Sequence, residues 1–122
     1  MASVRINGVD YDLRMSLWAS EQIENEFGDL QEALRDFQKK KKISMVKTMF
    51  RILANGGRKH AGQPTDVQES VLDNCTLADL STISTAMNEA MAETMHAETV
   101  NGNEADDQVA DAYEAEYNEK NG

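Results

Sequence analysis

The sequence predicts an α+β fold, mainly α-helical, with an N-terminal β-hairpin packed on about five helices and an acidic, disordered C-terminal tail. Three observations carry this. Asn7-Gly8 separates two stretches in which apolar and polar residues alternate, which is the pattern of a two-residue hairpin turn. After Met15 the apolar residues recur every three or four positions, as on one face of a helix. Beyond residue 97 the composition turns acidic: residues 98–122 hold eight acidic side chains and one basic. They carry seven of the ten excess negative charges of a 122-residue chain, so residues 1–97 read as one nearly balanced domain and 98–122 as its solvated appendage.

The elements follow in order. Val4 and Ile6 lead into the turn, and Val9, Tyr11, Leu13 and Met15 resume the alternation, leaving Asp10, Asp12 and Arg14 toward water. A lone hairpin is marginal in water, so its apolar side must rest on helices. Ser16 caps a first helix through Phe27, with Trp18, Ile23 and Phe27 inward and Gly28 as its stop. Asp29 caps a second, bearing Leu30, Ala33, Leu34 and Phe37, and the run Lys39-Lys40-Lys41-Lys42 interrupts the pattern. Ser44 is the expected cap of a third helix with Met45, Val46, Met49, Phe50 and Leu53 on one face, ending at Asn55-Gly56-Gly57. A polar connector, 58–64, closes with Pro64. Thr65 and Gln68 form the pattern of a capping box for a short helix with Val67, Val71 and Leu72. Thr76 and Asp79 form a second box, opening a long helix whose apolar residues are Leu77, Leu80, Ile83, Met87, Met91 and Met95.

Charge and composition narrow the function. A net charge of −10 argues against a binder of nucleic acid or of anionic membranes, since both need clustered Lys and Arg. No apolar run approaches the roughly 20 residues of a membrane span, and no basic-then-apolar signal opens the chain. The single cysteine, Cys75, excludes an internal disulfide framework and a cysteine-based zinc cluster. His60 and His96 have no second ligand at metal spacing, and nothing near Cys75 would activate it as a nucleophile. Gly56-Gly57 lacks the Gly-Lys-Ser/Thr ending of a phosphate loop. The expectation is therefore no catalytic residues, no cofactor and no metal.

What remains is partner binding. Four lysines without interleaved aromatics read as a solvated helix end, or as a patch for an acidic protein surface such as the chain's own tail. The stripe Met87, Met91, Met95 has two readings: core filling, or an exposed surface whose flexible thioethers adapt to a partner. Met45, Met49 and Phe50 form a second candidate face. In the tail, Val109, Tyr113 and Tyr117 recur every four residues, which suits either disorder or a segment that folds on a partner with the tyrosines as anchors.

The order of elements also resembles a known family. A hairpin ending Tyr11-Asp12-Leu13-Arg14 precedes a helix closing on Ile23-Glu24-Asn25-Glu26-Phe27-Gly28. Then come Leu30-Gln31-Glu32-Ala33-Leu34, the helix Val46-Lys47-Thr48-Met49-Phe50-Arg51-Ile52-Leu53, a connector ending Gln63-Pro64-Thr65, a short helix, and a long helix after Leu77. Over residues 9–97 this is similar to the tail assembly chaperones of long-tailed bacteriophages and the related tail proteins of gene-transfer agents. The lysine run and the acidic tail do not map onto that family. The resemblance implies a non-enzymatic role: binding the long, helical tape measure protein, with the tail tube protein as a second candidate partner, in the bacterial host cytoplasm. Such chaperones are absent from the finished virion. It implies self-association, because many copies must coat one client. Many members also exist in two lengths through a programmed frameshift, and Glu119-Lys120-Asn121 is compatible with an adenine-rich slippery heptamer. The rival class is an acidic decoy that imitates nucleic acid and occupies a basic partner.

Overall fold

The computed structural model describes residues 2–40 and 42–93, and these share one hydrophobic core. Strands β1 (Ser3–Ile6) and β2 (Val9–Asp12) pair antiparallel, with Ile6 opposite Val9 and Ser3 opposite Asp12. Asn7 and Gly8 both have positive φ, 51° and 82°, the geometry that matches a tight turn to the twist of its strands. Beyond β2 the chain stays extended. The Leu13 amide donates to the Ala2 carbonyl and the Arg14 amide to the Leu53 carbonyl, while Leu13 and Met15 are buried. Val9, expected on the same apolar face, is 46% exposed.

Helices α1 (Leu17–Phe27), α2 (Leu30–Lys39) and α4 (Leu77–Ala92) begin where their capping residues predict. The Ser16 hydroxyl accepts from the Ala19 amide, and the Asp29 carboxylate accepts from the Glu32 amide. Thr76 and Asp79 exchange both bonds of a capping box. Gly28 ends α1 at φ 93°, its amide donating to the Glu24 carbonyl.

Helix α3 (Ile43–His60) differs from expectation at both ends. It starts two residues earlier than a Ser44 cap requires: Lys42 stands at the cap and gives no side-chain bond. Nor does it stop at Asn55-Gly56-Gly57, which are buried in its interior. The stop is Gly62, at φ 74°, where the Gln63 amide bonds back to the Arg58 carbonyl and the Gly62 amide to the Lys59 carbonyl. Arg58, Lys59 and His60 thus form the last turn of a helix, where cations are favoured, and not a connector. The two internal glycines serve packing. A Cβ on Gly56 would overlap the Arg14 carbonyl oxygen, and one on Gly57 the Asp12 carbonyl oxygen, so the end of the hairpin lies directly on the helix backbone. Tyr11 completes this contact, its ring meeting Phe50 edge-on with centroids 5.4 Å apart.

The Thr65–Gln68 capping box does not form. Asn55, buried in α3, takes the Val67 amide on its Oδ1 at 2.9 Å and donates its Nδ2 to the Val67 carbonyl at 3.1 Å. That pairing holds the chain extended, and only a 3-10 turn, Glu69–Leu72, follows. Residues 66–73 run back along α3 as a strap. Arg58 pairs with Asp66, Arg51 and Thr48 both bond the Glu69 carboxylate, and Lys47 pairs with Asp73. Positions 47, 48, 51, 55 and 58 fall on one stripe of the helix. Val67 and Leu72 are the strap's buried side chains.

The core lies between α3 and everything around it: α1, β2 and α4 all pack on it, with α2 against α1 and β1 against α4.

Candidate interaction surface

The structure places the proposed apolar face inside the molecule. Met49, Phe50, Met87 and Met91 are all core residues, packed with Phe37, Ile52, Leu53 and Ile83. They form no exposed groove, which corrects the reading of these positions as an open partner surface. A helical stripe reports one shared face; here α3 and α4 cover each other's. Met95, Tyr113 and Tyr117 lie outside the described residues, as does the tail. Met45 alone of the described candidates is half-exposed.

The exposed large apolar side chains are elsewhere. Leu17, Ile43 and Leu77 are 90%, 55% and 75% exposed, and each is the first residue of its helix. Leu77 thus stands apart from Ile83, Met87 and Met91 of the same apolar series, which are buried.

Three clefts bear on what the surface can bind. The largest, about 450 Å³, lies between β2 and the end of α3 and is lined by Asp10, Asp12, Arg58 and Pro64. Its Asp10 is engaged by Arg5 and its Arg58 by Asp66, so those charges are already answered. A second, about 290 Å³, lies between β1 and the start of α4, beside Cys75 and Asp79, whose carboxylate is committed to the capping box. The third, also about 290 Å³, opens where the ends of α1 and α2 meet the start of α3. Phe27, Met45 and Thr48 stand beside Asp36, Lys40, Lys42 and Ser44 around it. Lys40 and Lys42 form no ion pair among the described residues, so of these three clefts this one combines half-buried apolar side chains with two lysines against a single carboxylate, Asp36. Its ingredients, Met45 and the lysine run, stand out in the sequence separately; their meeting with Phe27 depends on the turn between α2 and α3.

Cys75 sits half-buried between the 3-10 turn and α4. Burial, and secondarily the nearby Asp79 carboxylate, push its thiol pKa up, so it stays protonated near neutral pH. Alkylation by iodoacetamide should therefore be slower in the folded protein than in urea, with its rise displaced to higher pH. Because the folded state keeps the proton longer, the sign requires stability to fall as pH climbs through the thiol range. Equal rates in the folded and unfolded chain would contradict this.

Among the described residues no group of three or more His, Cys, Asp or Glu side chains is placed to hold a metal ion, and no helix is long and apolar enough to cross a membrane. His60 ends α3 and is exposed; His96 lies outside the described residues. Compared with protein-family models, curated proteins and solved structures, the chain matches none of them.

Proposed function

We propose that this chain is a non-catalytic assembly chaperone of the long-tailed phage type, which holds the tape measure protein in the bacterial host cytoplasm and leaves before the virion is complete. The observation that carries the proposal is the exposure of Leu17, Ile43 and Leu77 on a domain whose core is otherwise closed. Large aliphatic side chains at helix starts, with the half-exposed Phe27 and Met45 that line the cleft at the start of α3, offer a discontinuous apolar surface to a long helical client. The resemblance rests on the order of hairpin, three helices, connector, short turn and long helix. Binding of tail tube protein and self-association along the client belong to the same proposal.

The test is co-expression with the long helical protein encoded downstream in the same gene cluster, followed by co-purification. Wild type should hold that protein in solution, and the triple substitution L17D/I43D/L77D should weaken its capture at least tenfold, which is about 1.4 kcal/mol. Retention by the triple variant, or no tail genes nearby, overturns the proposal. One observation favours a second reading, the acidic decoy: residues 98–122 carry seven of the ten excess negative charges. Deleting them separates the two, because a decoy loses its basic partner and a chaperone keeps its client through residues 1–97.

A further inference from the structure

Residues 66–73 lie along α3 as a peptide ligand lies in its site. Asn55 recognises their backbone: its Oδ1 takes the Val67 N–H and its Nδ2 donates to the Val67 carbonyl, which holds an extended residue whatever its side chain. Bases of the same helix then meet three carboxylates in register. Arg58 holds Asp66, Arg51 and Thr48 hold Glu69, and Lys47 holds Asp73. Arg51 is also paired with Glu26 of α1 at 3.3 Å, so its guanidinium keeps a partner when the strap is away.

Little else fastens the strap. Of its eight residues only Val67 and Leu72 are buried. Among the described residues it shares no backbone–backbone bond with α3; the Val71 and Asp73 amides bond to the Gln68 and Ser70 carbonyls, inside the strap itself. The helices on either side are closed without it. Gly62 has already turned the chain after α3, and the Thr76–Asp79 capping box starts α4 on its own. The segment can therefore lift without unwinding either helix, the pattern of a unit that opens below the free energy of global unfolding. Its three ion pairs are solvent-accessible, so salt weakens them.

We propose that the strap is the chain's own occupant of a peptide-docking track on α3, and that an extended acidic segment of a partner replaces it when it lifts. Charge complementarity selects that partner. The track takes an acid, then an apolar residue held through its backbone, a second acid three positions after the first, and a third acid four positions further on. The tethered strap competes at an effective concentration on the order of millimolar, so it keeps weak or mismatched segments out. The inference stands apart from the tail-chaperone reading and holds for any partner that carries this pattern.

The experiment follows amide hydrogen exchange of the full-length chain by NMR, with a synthetic peptide of residues 65–74 as the probe. Without peptide, the Val67 amide should exchange at least about 100-fold faster than the Leu53 and Met87 amides of the core. Between about 0.1 M and about 1 M salt its rate should rise several-fold more than theirs. D66N/E69Q/D73N should raise Val67 exchange at low salt and remove most of that salt dependence. Peptide at about 1 mM, near the effective concentration of the strap, should accelerate Val67 exchange at least about tenfold and leave Leu53 and Met87 unchanged. A scrambled peptide of the same composition should have no such effect. Val67 exchanging at the rate of the core amides overturns the proposal, as does no acceleration by the peptide or equal acceleration by the scrambled one. Acceleration that follows the concentration of the chain itself, without peptide, also overturns it, because the replacing strap would then come from a second copy.

Discussion

Asn55→Ala is expected to cost about 3 kcal/mol, although the side chain removed is small and polar. Asn55 is buried, and its amide satisfies both backbone groups of Val67. Alanine would leave a buried N–H and a buried C=O without partners, each worth roughly 1–3 kcal/mol in lost solvation. Water can offset part of this only if the strap lifts, which would expose Val67 and Leu72. The surrounding ion pairs cannot substitute, since exposed pairs contribute at most about 1 kcal/mol each. Urea unfolding followed by circular dichroism is the check, read as a fall in the midpoint. A variant within about 0.5 kcal/mol of wild type would mean that the Asn55–Val67 pairing contributes little.

Gly57→Ala is expected to destabilise by about 2 kcal/mol, against the usual sign for that change inside a helix. In an open helix the substitution gains about 1 kcal/mol from propensity. Here the new Cβ would meet the Asp12 carbonyl group, with its carbon 2.8 Å away and its oxygen closer still. Those are backbone atoms of the last residue of β2, and the chain just beyond it is pinned by the bond from the Arg14 amide to the Leu53 carbonyl. Relief requires sliding the hairpin off α3, an overpacking cost near the upper end of the usual range, about 3 kcal/mol. Gly62→Ala is a useful contrast: nothing lies near its Cβ, so only the strain of its positive φ remains. A Gly57→Ala variant as stable as wild type would show that the hairpin can yield at little cost.

These two positions also show where the sequence stops being legible. The hairpin turn, three helix caps and Gly28 were readable because each is decided by residues within four positions of one another. The Gly56-Gly57 pair was not, because a helix stop and a close backbone crossing call for the same residue. Only the strand lying on the helix distinguishes them, and it comes from more than forty residues earlier in the chain. The Thr65–Gln68 pattern failed similarly, since Asn55 claims the intervening Val67 from another helix. Periodicity marked Met49, Met87 and Met91 as sharing faces, but it carries no information on whether a face is covered. Leu17, Ile43 and Leu77 were hidden for a geometric reason. Helical side chains tilt toward the N-terminus, so a first-turn residue reaches back past the end of its own helix. The candidate cleft was half legible: its lysines and Met45 stood out, while Phe27 was assigned to the core alone.

The pairing of Asn55 with Val67 also separates two properties of the polypeptide that are usually bound together, register and length. Alignment of the strap along α3 is set from Val67 onward by bonds that make no reference to the residues before Asp66. The preceding stretch, 63–65, is exposed and begins just after Gly62 has turned the chain. Extra residues inserted there would enlarge a surface bulge at a closure cost of only about 0.6 kcal/mol per doubling of loop length, leaving every later contact in place. This is the position at which the molecule can accept foreign sequence, an epitope or a reporter, without any later residue changing its neighbour.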